Sequence, residues 1–234
     1  HALGYEWLRW MMAGRPEGRA AKLFEAQEQD FLAQWRYAAH RGVVEYCEAR
    51  HLRVPSRITT VQPAGTKSLL TGASSGWHPP KAQRFIRRIT LGVNDPLVPA
   101  LIESGYSVIP AQSARDDEGN LLDDISDPRV QEVLVEIPTE VSWANLPGCD
   151  EFDLSKLPVE AQYGLYMQVQ NWYTDHNTSA TIELREHEAP VLSRLIHESI
   201  QNDGGYISAA LLARFDVDGG TFPRLPFEPI SKER

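Results

Sequence analysis

Cysteine is scarce in this 234-residue chain, with Cys47 and Cys149 the only two. That excludes a disulfide-stapled scaffold. Positive charge is also in deficit: 23 Lys and Arg against 32 Asp and Glu leave a net charge of −9. A protein that grips nucleic acid by its phosphates needs a clustered positive surface, so no direct nucleic-acid binding is expected. A small anionic ligand needs only a local pocket and stays open. Long apolar runs are missing too. The best stretches, SLLTGA and PLVPALI, fall far short of the roughly 18 residues of a membrane span. No basic-then-apolar segment opens the chain, and the expectation is a soluble, cytoplasmic protein with no membrane partner. Asn177-Thr178-Ser179 spells a glycosylation sequon, read as chance without a secretory signal.

What is present is ordinary globular material: 42% apolar and 24% charged residues, enough to bury a core in one large domain or two small ones. No internal repeat is visible. The chain begins at His1, and HALGYEWLRWMM reads as the interior of a helix, so a piece cut from something larger is expected.

Apolar residues recur at three- and four-residue spacing over 20–50 (Leu23, Phe24, Phe31, Leu32, Trp35, Ala38, Ala39, Val43, Val44, Cys47), predicting an amphipathic helix that Gly42 bends or divides. GRPEG at 14–18 separates it from a helix over 5–12. SRITTV (56–61) reads as a strand running into QPAGTKS, followed by the small-residue stretch SLLTGASSGWHPP, a loop or short helix. Strands are expected at 85–92, 106–110, 130–141 and 178–184, and helices at 96–104, 157–176 and 190–201. The acidic run 116–127 reads as a surface loop, 206–213 as a short final element, and the Pro-rich 223–234 as a tail of loop or linker. Helices alternating with short buried strands make an α/β arrangement.

Four motifs carry candidate chemistry. The loop Pro63, Ala64, Gly65, Thr66, Lys67, Ser68 sits between a predicted strand and helix. Small residues let backbone N–H groups approach a phosphate, hydroxyls add donors, and Lys67 adds one charge. It is not a Walker loop, because Thr66 stands where a glycine must precede the lysine; an ordinary strand-to-helix turn is the competing reading. Gly72-Ala73-Ser74-Ser75-Gly76 spells the G-x-S-x-G elbow of serine hydrolases, with His176, His187 or His197 as base and Asp150, Asp153 or Asp175 as orienting carboxylate. Two prolines at 79 and 80 interrupt the helix an elbow requires, so close packing explains these small residues better. His40, Cys47 and His51 share a helix face but match no closed zinc site, and Cys47 falls on the apolar stripe. Asp216-Val217-Asp218-Gly219-Gly220 lacks the later ligands of a calcium loop and reads as a turn. The six tryptophans read as core.

QPAGTKSLLTGASSGWHPP resembles the C-terminal part of the ribonucleotide reductase large chain, where a P-[ST]-G-T loop is followed by an SSG-[IMV]-x-P-like segment. Pro63 to Ser68 stand at the loop, and Ser74, Ser75, Gly76 and Pro79 at the second segment. HNTSATIEL and GGTFPRLPFEPI are similar to the last barrel strand and closing segment of the adenosylcobalamin-dependent, monomeric triphosphate-reducing branch (class II). The resemblance covers nearly the whole chain, least at 116–157. It implies that 1–234 is the C-terminal part of a ten-stranded α/β barrel, that the 63–68 loop holds the phosphates of a ribonucleoside triphosphate, and that Ser74, Ser75 and Gly76 flank the substrate pocket. Adenosylcobalamin as cofactor, a thioredoxin-type reductant and the N-terminal remainder of the enzyme as partners follow from it.

Two departures shape the expectation. Where the iron-dependent class I chain carries two adjacent radical-relaying tyrosines, this sequence has Glu183 and Leu184, which favours class II. The family's radical cysteine on an N-x-C-x-E-like finger loop and its C-terminal cysteine pair have no counterpart here. No catalytic or metal residue is therefore assigned to this chain. A serine hydrolase using Ser74 and a non-catalytic nucleotide-binding module are the alternatives.

Overall fold

The computed structural model describes residues 4–65, 67–68, 74–149, 152–214 and 224–232. The chain divides into two compact units, His1–Pro80 with Asn145–Asp216, and Lys81–Ala144 with Val217–Arg234. No helix among the described residues is long and apolar enough to cross a membrane.

The first unit begins with α1 (Tyr5–Met12) and α2 (Arg19–Ala49). Between them Gly14 adopts φ 86° and Arg15 φ 55°, a left-handed pair that costs glycine little and arginine more. Arg15 recovers that cost through its contacts. Its guanidinium donates twice to the buried Glu28 carboxylate, at 3.0 and 2.8 Å, and lies 4.4 Å from the Trp10 ring centre. The Trp7 indole N–H donates to the same carboxylate at 2.6 Å. Trp10, Met11, Ala21, Leu157 and Ala161 complete the core at this end.

Helix α2 runs unbroken for 31 residues, about 46 Å at 1.5 Å per residue, so Gly42 does not divide it into two helices. Its buried face is not the expected stripe. Ala21, Glu28, Leu32 and Cys47 are buried, while Leu23, Phe31 and Trp35 are exposed. A paired carboxylate has taken a core position that periodicity assigns to a hydrophobe.

A 3₁₀ turn (Leu154–Lys156) leads into α4 (Val159–Trp172). The first N–H of α4, at Val159, donates to the Glu188 carboxylate at 3.1 Å, which also accepts from the Arg185 N–H at 2.8 Å. Strands β4 (Thr181–Leu184) and β5 (Ala210–Ala213) pair in parallel, in register Thr181 to Ala210, with α5 (Ala189–Gln201) between them in sequence. Val159, Tyr163, Ile182 and Leu192 form their core, the fully buried aliphatic side chains of Val159, Ile182 and Leu192 each contributing about 1.5–3 kcal/mol.

The second unit is a four-stranded antiparallel sheet in the order β2-β3-β1-β6: β1 (Arg84–Gly92), β2 (Ser107–Pro110), β3 (Glu132–Glu140) and β6 (Phe227–Pro229). Helix α3 (Leu97–Glu103) adds Val98 to a core with Ala114, Val130 and Val133.

The chain is thus mixed helix and sheet. The α/β expectation holds in the β4–α5–β5 crossover, whereas the larger sheet is antiparallel, with β1 beside β3 although β2 lies between them in sequence, and β6 brought to β1 from the far end of the chain. Two segments differ from their sequence reading. Residues 56–61 are extended but form no strand, with one parallel bridge between Val61 and Thr178. The 223–234 tail is not all loop: Phe227–Pro229 pairs with Phe85–Arg87.

Candidate functional site

The segment leading into the 63–68 loop is held from outside itself. Gln170 on α4 starts the chain of contacts: its amide donates to the His176 carbonyl at 2.8 Å and accepts from the Thr178 N–H at 3.0 Å, setting the turn after the helix. That turn presents Asp175, whose carboxylate accepts from Arg36 at 2.5 Å, the Ile58 N–H at 3.0 Å and the Thr59 N–H at 3.3 Å. His40 Nε2 lies 2.7 Å from the same carboxylate. Burial pushes the Asp175 pKa up, but the two backbone N–H groups and the Arg36 guanidinium outweigh it and hold the carboxyl at about 2. An ionised carboxylate only accepts, so the proton at His40 Nε2 is the one shared in that contact.

Thr59 locks the pairing from its own side. Its hydroxyl donates to the Tyr173 carbonyl at 2.6 Å, and its carbonyl accepts from the Asp175 and His176 N–H groups at 3.0 and 3.3 Å. The Val61 carbonyl accepts from the Ser179 N–H at 2.9 Å. The backbone bonds of 58–61 therefore go to a turn and a side chain rather than to a ladder, which is why a β-branched run forms no strand here.

Next comes the loop. The Ala64 N–H donates to the Ser75 carbonyl at 2.7 Å, so the two motifs that the sequence separates lie against one another. Lys67 and Ser68 are helical, the Ser68 N–H donating to the Ala64 carbonyl at 2.9 Å. Gly65 and Lys67 are exposed; Ser68 is buried and its hydroxyl donates to the Gly65 carbonyl at 2.8 Å, which shapes the turn. Thr66 lies outside the described residues, as do 69–73.

Past the second motif, the Trp77 N–H donates to the Ser179 carbonyl at 2.7 Å. Gly76 has no room for a side chain, since a Cβ would meet that carbonyl oxygen at 2.6 Å and the His78 ring at 2.9 Å. A pocket of about 580 Å³ lies here, with Ala64, Ser74, Gly76, Trp77, Trp35 and Tyr173 among its walls. The Trp77 indole Nε1 is buried without a hydrogen-bond partner among the described residues. A buried donor left unpaired costs about 1–3 kcal/mol, which an acceptor on a bound ligand would recover.

The remaining candidates are dispersed. Ser74 is exposed on the pocket wall, and it is Ser75 whose hydroxyl lies 3.4 Å from a histidine, His78 Nε2. Bends at 75–78 follow the motif where an elbow needs a helix. Of the three carboxylates proposed for a hydrolase triad, Asp175 is engaged with Arg36 and His40, Asp153 accepts from the Ser155 N–H, and Asp150 lies outside the described residues. Among the described residues, no hydrogen bond or ion pair joins His176, His187 or His197 to Ser74. His40 turns to Asp175, Cys47 is buried, and His51 is exposed just beyond α2, so the three form no metal site; no group of three metal-binding side chains occurs among the described residues. Asp216 and Asp218 lie outside those residues. Glu183 pairs with Arg214 at 3.4 Å.

Sequence reasoning proposed the loop and its second motif. It missed Arg36, His40 and Thr59 as supports, and it took Asp175 only as a triad candidate. Each is joined by a contact spanning more than a hundred residues, so no local pattern marks it.

A solved structure, titled a crystal structure of a B-12 dependent (class II) ribonucleotide reductase, superimposes on 89% of this chain and 26% of its own, with a TM-score of 0.69 and 26% identity. The chain is similar to a segment of a class II ribonucleotide reductase. Curated relatives agree. An adenosylcobalamin-dependent ribonucleoside-triphosphate reductase from Lactobacillus gasseri is 28% identical over 190 residues, covering 81% of this chain and 22% of the relative. A probable reductase of that name from Dictyostelium discoideum is 27% identical over 187 residues, 78% of this chain and 21% of the relative. The Euglena gracilis reductase is 27% identical over 184 residues, 78% of this chain and 22% of its own length. This chain thus spans about a fifth of the length of these class II reductases. No protein-family model matches it.

Proposed function

We propose that this chain is the C-terminal, substrate-holding segment of an adenosylcobalamin-dependent ribonucleoside-triphosphate reductase, residues 1–234 contributing to a ten-stranded α/β barrel completed by the rest of the enzyme in the cytoplasm. One observation carries the reading. The Ala64 N–H to Ser75 carbonyl bond joins the two motifs on which the family resemblance rests, at the wall of a pocket large enough for a nucleotide's reacting end.

In this reading the triphosphate lies against Pro63, Ala64, Gly65 and Thr66, with Lys67 supplying charge and Ser68 holding the turn. Ser74, Ser75 and Gly76 form the pocket wall beside it. A small-residue loop backed by one lysine suits a chain of net charge −9, since it places positive charge only where the phosphates sit.

Reduction at the ribose 2′-position is assigned to thiols outside this chain, re-reduced by a thioredoxin-type partner. Cys47 and Cys149 are both buried, Cys47 in a helix and Cys149 in a turn where its N–H donates to the Leu146 carbonyl, and neither lines the pocket. The pocket of about 580 Å³ is too small to enclose adenosylcobalamin with its corrin, nucleotide tail and adenosyl group. The cofactor is therefore assigned to the remainder of the enzyme.

The test is Thr66→Val combined with Lys67→Ala in the complete reductase. Losing one hydroxyl donor and one charge raises KM for the nucleoside triphosphate by about tenfold or more, with a smaller effect on kcat. An unchanged KM overturns the placement of the phosphates.

A further inference from the structure

Asp175 stands outside both motifs, yet two separate segments converge on it. Arg36 and His40 reach it from α2, one helical turn apart, and Ile58 and Thr59 reach it through their backbone N–H groups. The carboxylate is 9% exposed, so these contacts form in a setting where water competes weakly. Its own backbone is fixed twice: the N–H by Thr59, and the neighbouring residues by Gln170.

The position of this hub gives it leverage. Thr59 is held by Asp175, Val61 by Ser179, and Pro63 opens the loop with its φ restricted by the ring. Ser179 also receives the Trp77 N–H, so the same turn that carries Asp175 anchors the strand side of the loop and the second motif. Little chain remains between these anchors and Ala64 in which a displacement could be absorbed.

We propose that Asp175 is a positioning residue for the 63–68 loop: it sets where the loop stands by clamping the Ile58 and Thr59 N–H groups, while Arg36 and His40 hold the carboxylate in place. This rests on the reading of the loop as the phosphate site, and it adds a residue that touches neither substrate nor loop. In Asp175→Asn the side chain is nearly the same size, but an NH₂ replaces one acceptor oxygen. It then faces donors on the remaining contacts, and Arg36 loses its counter-charge.

The experiment uses the complete reductase, with amide hydrogen exchange followed residue by residue over this segment and inorganic triphosphate as the titrant. Wild type, Asp175→Asn and Arg36→Gln are compared. In Asp175→Asn, exchange at Ile58 and Thr59 and at the loop amides Ala64 and Ser68 accelerates about tenfold. Protection along α4 and β4 is unchanged, and triphosphate binds about tenfold more weakly, the scale of one lost bond to a charged group. Faster exchange at Ile58 and Thr59 with Ala64, Ser68 and triphosphate affinity unchanged overturns the proposal, leaving Asp175 a local structural group. If wild type binds no triphosphate while the loop amides still respond to Asp175→Asn, the positioning role stands and the phosphate reading fails. Should Asp175→Asn also lose protection along α4, Arg36→Gln decides. Arg36 is partly exposed, so its removal leaves the fold intact. A two- to threefold response at the same four amides, the scale of about 0.5 kcal/mol for a partly exposed ion pair, supports the proposal, and none overturns it.

Discussion

A carboxylate packed among donors keeps its charge far into acid. For Asp175 burial acts in the opposite direction, yet the Ile58 and Thr59 N–H groups and Arg36 outweigh it and hold the folded-state pKa at about 2. An unfolded aspartate titrates near 3.9, so the folded value is depressed. The corresponding stability is complete above about pH 4 and disappears as pH falls through about 2. Acid titration of the melting temperature is expected to show a loss of order 2 kcal/mol in that window, and Asp175→Asn lacks this component while being less stable at neutral pH. Equal pH profiles for the two proteins count against the depressed value. Nothing near Asp175 in the sequence announces the role. The sequence reading places Tyr-Thr-Asp-His at the end of the 157–176 helix, and the groups that ionise the aspartate lie more than a hundred positions earlier.

Helices and strands were legible to the degree that their burial follows a period. The 5–12, 96–104 and 190–201 helices and the 85–92 and 130–141 strands stand within a few residues of their expected places. Where burial is set by a long-range partner, the period misleads. Glu28 occupies a core position on α2 because Arg15 and Trp7 satisfy it, and Leu23 and Phe31 face outward as a result. Residues 56–61 have strand composition but spend their hydrogen bonds on Asp175 and the 173–179 turn. The small-residue reading of the second motif rests on firmer ground, because Gly76 approaches the Ser179 carbonyl too closely for a Cβ. Gly76→Ala is expected to cost about 2 kcal/mol or more and to break the Trp77 to Ser179 bond. Chemical denaturation would measure the cost, and faster amide exchange at Trp77 would report the broken bond. A variant as stable as wild type with Trp77 still protected contradicts this.

Within the molecule as a whole, the closing segment does more than its composition suggests. Arg224 is buried, with its guanidinium donating to the Pro110 and Leu122 carbonyls and to Asp123. Phe227–Pro229 then covers the edge of β1, and Glu228 joins Glu136 in flanking Arg88. Burial would lower the Arg88 pKa, but the two carboxylates raise it beyond its ordinary value, so its charge is permanent and must stay paired. Truncation before Arg224 is expected to uncover β1 as an open edge, speed amide exchange over Phe85–Arg87 and promote association visible by light scattering. A truncated chain that stays monodisperse with those amides protected refutes that role for the tail. The sequence by itself determined the types of most elements and the candidate loop with its second motif, and through them the resemblance to the class II reductases. Those signals are local, because side-chain periodicity, turn chemistry and motif spacing are written over a few consecutive residues. Tertiary structure alone decided that Asp175 supports the loop, that Glu28 is core, and that the tail supplies a strand. Each depends on hydrogen-bond partners far apart in the chain, and a buried polar group takes its position from whichever partner satisfies it.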